Sequence, residues 1–275
     1  MAKNGIGTIY QLSDALEYGP EKLLELGLDC VQLQCFTPEL LTQENAKKIK
    51  ETFDGKIRIS SFWAGWSGPQ EWNFKDGPQT LGIVPEAYRF GRLKELMLGA
   101  DFAEMIGAPN MATHVGFIPE NPLTAEFRGV FGAVKQIADY CKSKNIHFNF
   151  ETGQETPVTL MRMITDLEND FVGINLDPAN LIMYGKGNPV DAVGIFKDRV
   201  RGVHVKDGDY PTTFYNLGEE RVVGEGSVNY PVFLPKLIRH GYEGDLYIER
   251  EISGDQQIED IKRTIVYVKE LLAEL

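Results

Sequence analysis

Four residues able to bind cations and move protons close short apolar runs in the second half of the sequence. Glu151 ends Phe148-Asn149-Phe150, Asp177 ends Ile174-Asn175-Leu176, His204 lies within Val203-His204-Val205, and Glu249 follows Tyr247-Ile248. The runs have the length and the β-branched or aromatic character of buried strands. Taken singly, each residue has an ordinary reading. A strand-end glutamate is often an ion-pair partner, Asp177 before Pro178 could cap a turn, and His204 could be a satisfied core histidine. Their recurrence at one height in successive units changes the reading. Three carboxylates brought together repel one another and resist burial, and a divalent cation removes that conflict. Three hard oxygen donors and one imidazole suit Mn2+ or Mg2+, with Co2+, Fe2+ or Zn2+ also open.

The elements that must position these residues alternate along the whole chain. Strands are expected at Ile6–Tyr10, Cys30–Phe36, Lys56–Phe62, Asn110–Val115, Ile146–Glu151, Val172–Asp177, Val200–Val205 and Asp245–Glu249. Amphipathic segments separate them, at about 20–26, 42–53, 86–106, 123–144, 157–167, 189–197, 231–240 and 257–275. Strict alternation implies a parallel sheet with helices outside it. Eight units in 275 residues, without a linker or a composition shift, predict one (β/α)8 TIM barrel spanning residues 1–275. An open doubly wound sheet would carry a glycine-rich turn after its first strand, but the chain reads Ile9-Tyr10-Gln11-Leu12-Ser13-Asp14 there. In a barrel, the ends of strands five to eight lie along one half of the C-terminal mouth.

Charge and composition narrow the partners. A net charge of −12 makes nucleic acid and anionic membranes poor ligands. Cys30, Cys35 and Cys141 form neither an even set nor a C-x-x-C pair, which argues against a disulfide framework or structural zinc. Met1-Ala2-Lys3-Asn4-Gly5 runs into the first strand without a signal-peptide core, and no apolar run reaches membrane-spanning length. The expectation is a soluble, cytoplasmic enzyme; whether it forms a homo-oligomer is left open.

The sequence resembles the sugar phosphate isomerase/epimerase family, the xylose isomerase-like barrels, over nearly its whole length. The resemblance rests on Phe150-Glu151-Thr152-Gly153-Gln154-Glu155-Thr156-Pro157, Asn175-Leu176-Asp177-Pro178-Ala179-Asn180, Val203-His204-Val205-Lys206-Asp207-Gly208, Gly224-Glu225-Gly226-Ser227-Val228 and Gly241-Tyr242-Glu243-Gly244-Asp245 leading to Ile248-Glu249-Arg250-Glu251. It implies a metal held by Glu151, Asp177, His204 and Glu249, with Glu151 and Glu249 also the acid/base pair. Two features depart from the ketose 3-epimerases of this superfamily. The stretch Lys206-Asp207-Gly208-Asp209-Tyr210 just after His204 lacks their arginine, and their second glutamate has only Glu155 as a near match. Endonuclease IV-type repair enzymes share the superfamily but need a histidine-rich trinuclear zinc site. This chain has four histidines, with Asn180 where Asp-x-x-His would place another, so that site cannot be assembled.

The reading is a metal-dependent isomerase or epimerase of a ketose or related keto-sugar, transferring a proton next to a carbonyl through an enediolate. The same apparatus could eliminate a β-leaving group, as a lyase or dehydratase on a keto-sugar, keto-glycoside or inosose; a non-catalytic sugar-binding barrel is the third alternative. Lys206, two residues past His204, is a further catalytic candidate because strand alternation aims it to the same side; an ion pair with Asp177 or Asp207 competes with that role. His114, Trp63, Trp66, Glu155, Asn180 and Gln34 are candidate substrate contacts. Arg250 alternates away from Glu249 and reads as structural. Gly224-Glu225-Gly226 is too short a glycine signal for a phosphate site and reads as a turn.

Overall fold

Each apolar run becomes a stave of one closed barrel. In the computed structural model, which describes residues 4–275, the staves are β1 (Ile6–Gln11), β2 (Cys30–Cys35), β3 (Arg58–Ala64), β4 (Asn110–Thr113), β5 (His147–Glu151), β6 (Val172–Leu176), β7 (Val200–Val205) and β8 (Leu246–Ile248). All pair in parallel, and β1 closes against β8 with Thr8 opposite Ile248. Helices alternate with the staves, as a parallel sheet requires. Residues 1–3, read from the sequence as leading into the first strand, lie outside the described residues. Among the described residues no helix is long and apolar enough to cross a membrane.

Alternation along the staves sorts apolar from polar. On β5, Phe148 and Phe150 join the main core, while Asn149 and Glu151 belong to the polar set inside the barrel. Gln32 of β2 bonds to Asn175 of β6 across that interior. Gly202 on β7 has no side chain for a steric reason: a Cβ there would lie 2.6 Å from the Asn175 Oδ1. The barrel is thus filled by hydrogen-bonded amides below and ionisable groups above. Such a core is stable only when its members find partners.

The helices largely follow the expected ranges; the long helix over Glu86–Ile106 begins and ends where its pattern predicts. Thr42 caps its helix by accepting from the Asn45 N–H. Three short helices lie outside the expected ranges, at Leu12–Tyr18, Gly77–Thr80 and Pro178–Met183; the first starts directly after β1, and its N-cap, Gln11, makes no side-chain capping bond. With no cap residue and no intervening loop, nothing local marks its start.

Two polar anchors shape the loops at the mouth. Arg92 is buried, and its guanidinium donates to the carbonyls of Ser67, Pro69, Thr80 and Gly82 while lying over Trp66. It holds the aromatic loop after β3 in place. Asp207 accepts from the N–H groups of Gly208, Gly224, Gly226 and Val228. A Cβ on Gly226 would sit 2.3 Å from the Asp207 carboxylate. The glycine N–H groups therefore bind an anion of the chain itself, which accounts for the turn after β7.

Candidate active site

Glu151, Asp177, His204 and Glu249 meet at the C-terminal end of the barrel, and one ligand atom from each lies within 4.8 Å of all the others. The backbone explains how. Glu151 is the last residue of β5, and Asp177 caps the short helix after β6 by accepting from the Asn180 N–H through Oδ1. Its other oxygen, Oδ2, is left for the cluster. Asp177 is thus a helix cap that still turns one oxygen to the cluster. Glu249 follows β8, and its N–H donates to the Val205 carbonyl.

The fit to a cation rests on orphaned atoms. His204 Nδ1, Asp177 Oδ2 and Glu249 Oε2 are buried without hydrogen-bond partners. They are nonetheless close: Nδ1 lies 2.7 Å from Glu249 Oε2, 3.0 Å from Glu151 Oε1 and 3.7 Å from Asp177 Oδ2. Donor atoms this close but out of line for hydrogen bonds are arranged for a charge between them. A divalent metal ion fits this set. Without one, a proton serves in its place. Burial disfavours a charged imidazole at His204, but Glu151 and Glu249 override it and hold the pKa well above the usual histidine value. Burial likewise pushes the Glu151 carboxyl up, and His204 and His114 more than reverse it; for Glu249, Lys206 and His204 do the same. A metal must displace the proton on His204, so its uptake tightens as pH rises.

The imidazole is oriented from beneath. Gln32 donates through Nε2 to Ser61 and Asn175, which leaves its Oε1 to accept from His204 Nε2 at 2.7 Å. That bond fixes the proton on Nε2 and turns Nδ1 to the cluster. Gln32→Ala is expected to weaken metal binding by about 10–100-fold, the usual cost of losing such a partner. Titration calorimetry with Mn2+ checks this, and unchanged affinity would exclude the orienting role.

A cavity of about 990 Å³ opens above the cluster. Glu151 and Glu249 line it, whereas Asp177 and His204 lie below its floor. Trp63, His114, Asn180 and Gln34 also line the cavity. Trp63 Nε1 donates to Glu151 Oε2. His114 faces Glu151 Oε1 with Nε2 at 3.5 Å, while its Nδ1 meets Gln154 Oε1, and Gln154 in turn donates to the Tyr184 hydroxyl. Gln34 sits nearer the rim, bonded to Gln11.

Three sequence candidates, Trp66, Lys206 and Glu155, stand off the wall. Trp66 is fully buried behind Trp63, and Trp72, six residues on, occupies the wall beside His114 instead. Lys206 is buried beneath the rim, with Nζ 2.7 Å from Glu251, 3.4 Å from Glu249 and 3.8 Å from Asp177. The β7 strand has ended at Val205, and Tyr230 pins the Lys206 backbone by accepting its N–H and donating to its carbonyl. Lys206 therefore reaches Glu249 rather than the cavity. Arg250, read as structural, pairs with Glu220 and Asp260. Trp72, Tyr184, Gln32 and Glu251 were not singled out from the sequence.

Glu155 also lies away from the cavity wall. Burial raises its carboxyl to about 8. Its folded pKa exceeds its unfolded one, so its contribution to stability is complete below about pH 4.5 and is lost as pH rises through about 8. Glu155→Gln carries no such titration. The variant is expected to gain on the order of 4 kcal/mol relative to wild type between pH 5 and pH 9. Urea denaturation across that range tests this, and a constant difference would refute it.

Known proteins share this architecture. A xylose isomerase domain protein from Planctomyces limnophilus is 28% identical, with a TM-score of 0.87 covering 99% of this chain and 96% of that one. A D-tagatose 3-epimerase-like protein is 22% identical, with a TM-score of 0.77 over 98% of this chain and 97% of that one. An uncharacterized protein of Methanocaldococcus jannaschii is 22% identical over 291 residues, covering 99% of this chain and 92% of its own length. Sugar 3-epimerases are among the structures with the same barrel. The model of the xylose isomerase-like TIM barrel family matches residues 20–271, and the chain belongs to that family.

Proposed function

We propose that the chain is a metal-dependent isomerase or epimerase of a ketose or related keto-sugar, acting by proton transfer at a carbon next to a carbonyl. The observation that carries this reading is the division of the cluster. All four members can ligate a metal, but only the two glutamates line the cavity where a substrate would sit. A binding barrel needs no pair of carboxylates presented to its ligand. The similarity to epimerase folds supports the same reading.

Glu151, Asp177, His204 and Glu249 would hold the ion. A divalent ion held there, with Mn2+ or Mg2+ favoured by three hard oxygen donors, would supply Lewis-acid polarisation of the substrate carbonyl and offset negative charge on its oxygen. The chain supplies the proton chemistry. One glutamate removes the proton beside the carbonyl and the other returns one from the opposite face. Trp63 holds the second oxygen of Glu151, and Lys206 holds that of Glu249, so each base is fixed in direction and kept ionised. Lys206 is on this account a positioning residue for Glu249. His114 faces the substrate beside Glu151, and Trp63 and Trp72 offer aromatic faces to a sugar ring.

A panel of ketoses and keto-sugars in heavy water, with Mn2+ or Mg2+ supplied, tests the proposal. Solvent deuterium should enter the carbon next to the carbonyl of a product with unchanged skeleton. Loss of water or of a substituent would indicate elimination instead. Absence of exchange in every member, from protein shown to hold stoichiometric metal, would overturn the reading.

A further inference from the structure

We infer that the cavity has a second subsite, for an apolar group attached to the sugar, so that the substrate is a keto-sugar glycoside with an aryl or alkyl aglycone. This deepens the proposed keto-sugar chemistry and rests on it. The first argument is size. A hexose fills roughly 200 Å³ at interior packing density, and the cavity encloses about 990 Å³. A free ketose would leave most of it to water.

The second argument is where the excess lies and what lines it. From Glu249 the cavity continues past the junction of β1 and β8 into a cleft between the helix over Glu21–Glu25 and the start of the helix over Asp255–Ala273. Tyr10, Leu23, Leu26, Ile258 and Ile261 line this end. The Tyr10 hydroxyl is bonded to the Gly19 carbonyl, and the other four have no polar side-chain atoms. A second sugar ring laid against these five side chains would bury hydroxyls against partners that cannot bond them, at a cost of about 1–3 kcal/mol each. An aromatic or alkyl group would not. Lys22, Glu25 and Lys262 also line this end and offer polar groups to the opening. Ile258 is 40% exposed, and an aglycone would cover it.

The test separates binding from chemistry. Calorimetry on the full chain with Mn2+ compares phenyl and methyl β-D-glucoside. The phenyl compound is expected to bind at least about 10-fold more tightly, the scale of apolar discrimination in a pocket. Ile258→Asp should bring that ratio close to one. Leu24→Asp, on the same short helix as Leu23 but off the cavity wall, should preserve it. Equal affinities in wild type would overturn the subsite. So would an Ile258→Asp variant that keeps the ratio but changes its sedimentation state, which would mark the cleft as an interface between copies. Deuterium exchange on methyl and phenyl glycosides bearing the ketone at C2, C3 or C4 addresses the chemistry. Exchange in free ketoses but in no glycoside would remove the subsite and leave the proposed function standing. A phenyl preference in binding without exchange in any compound would keep the subsite and remove the proton-transfer reading.

Discussion

Glu249→Gln and Glu151→Gln are each expected to lower kcat for interconversion by about 10²–10⁴-fold, the range for losing a positioned acid or base. The amide keeps the shape and one oxygen of the carboxylate but cannot accept a proton at neutral pH. Both glutamates are also cluster members, so metal content must be measured in each variant and restored by excess Mn2+ before rates are compared. The informative readout is isotopic. If the two glutamates serve opposite faces of one carbon, each variant retains the base for one face only. Glu249→Gln should then exchange deuterium into one epimer while failing to form the other, and Glu151→Gln should show the reverse. Loss of exchange from both epimers in both variants, with metal present, would exclude a two-base arrangement and point to one carboxylate acting through a shuttled proton. Lys206→Met would act through Glu249. Its ammonium lies 3.4 Å from Glu249 Oε1 and offsets the burial that raises that carboxyl. Its loss should therefore shift the acidic limb of the pH–rate profile upward, an effect a purely structural lysine would not produce.

The parts of this site that the sequence makes legible follow from periodicity. A side chain at the end of a parallel stave is placed by the barrel, so Glu151, Asp177, His204 and Glu249 are recognisable before any coordinates. Depth is not encoded in the same way. Gln32 and Gln34 lie on one face of β2 by alternation, yet Gln34 bonds to Gln11 near the rim while Gln32 reaches His204 one pleat below. Only the barrel's stagger decides which of the two touches the chemistry. Alternation also fails once a stave ends: Lys206 is one residue beyond β7, and a hydroxyl 24 residues away sets its direction. The aromatic wall is less legible still. Trp66 and Trp72 share one loop, and their exchange of roles depends on the carbonyls gathered by Arg92, from the following helix. Long-range bonds from a side chain to loop backbone leave no periodic trace in the sequence.

His204→Ala is the substitution expected to do most to the cluster itself, and stability reveals it without any substrate. A ligand that binds only the folded state adds RT ln(1 + [L]/Kd), about 4 kcal/mol at a thousandfold excess over Kd. For a chain of this size that corresponds to a rise in Tm of about 10 °C. Wild type should show such a shift with Mn2+, and the shift should shrink as pH falls because the raised His204 pKa makes proton and metal competitors for Nδ1. In His204→Ala the imidazole that meets Glu151, Asp177 and Glu249 is gone. The Mn2+ shift should fall to near zero. The metal-free variant should also be less stable than metal-free wild type below the raised His204 pKa, since no imidazolium then offsets the repulsion among Glu151, Asp177 and Glu249. Gln32→Ala belongs between the two, because it loosens the imidazole without removing it and each tenfold loss of affinity subtracts about 1.4 kcal/mol. That graded order of wild type, Gln32→Ala and His204→Ala is what a single ion centred on Nδ1 requires. An equal Mn2+ shift in all three proteins would place the bound ion elsewhere on this acidic chain.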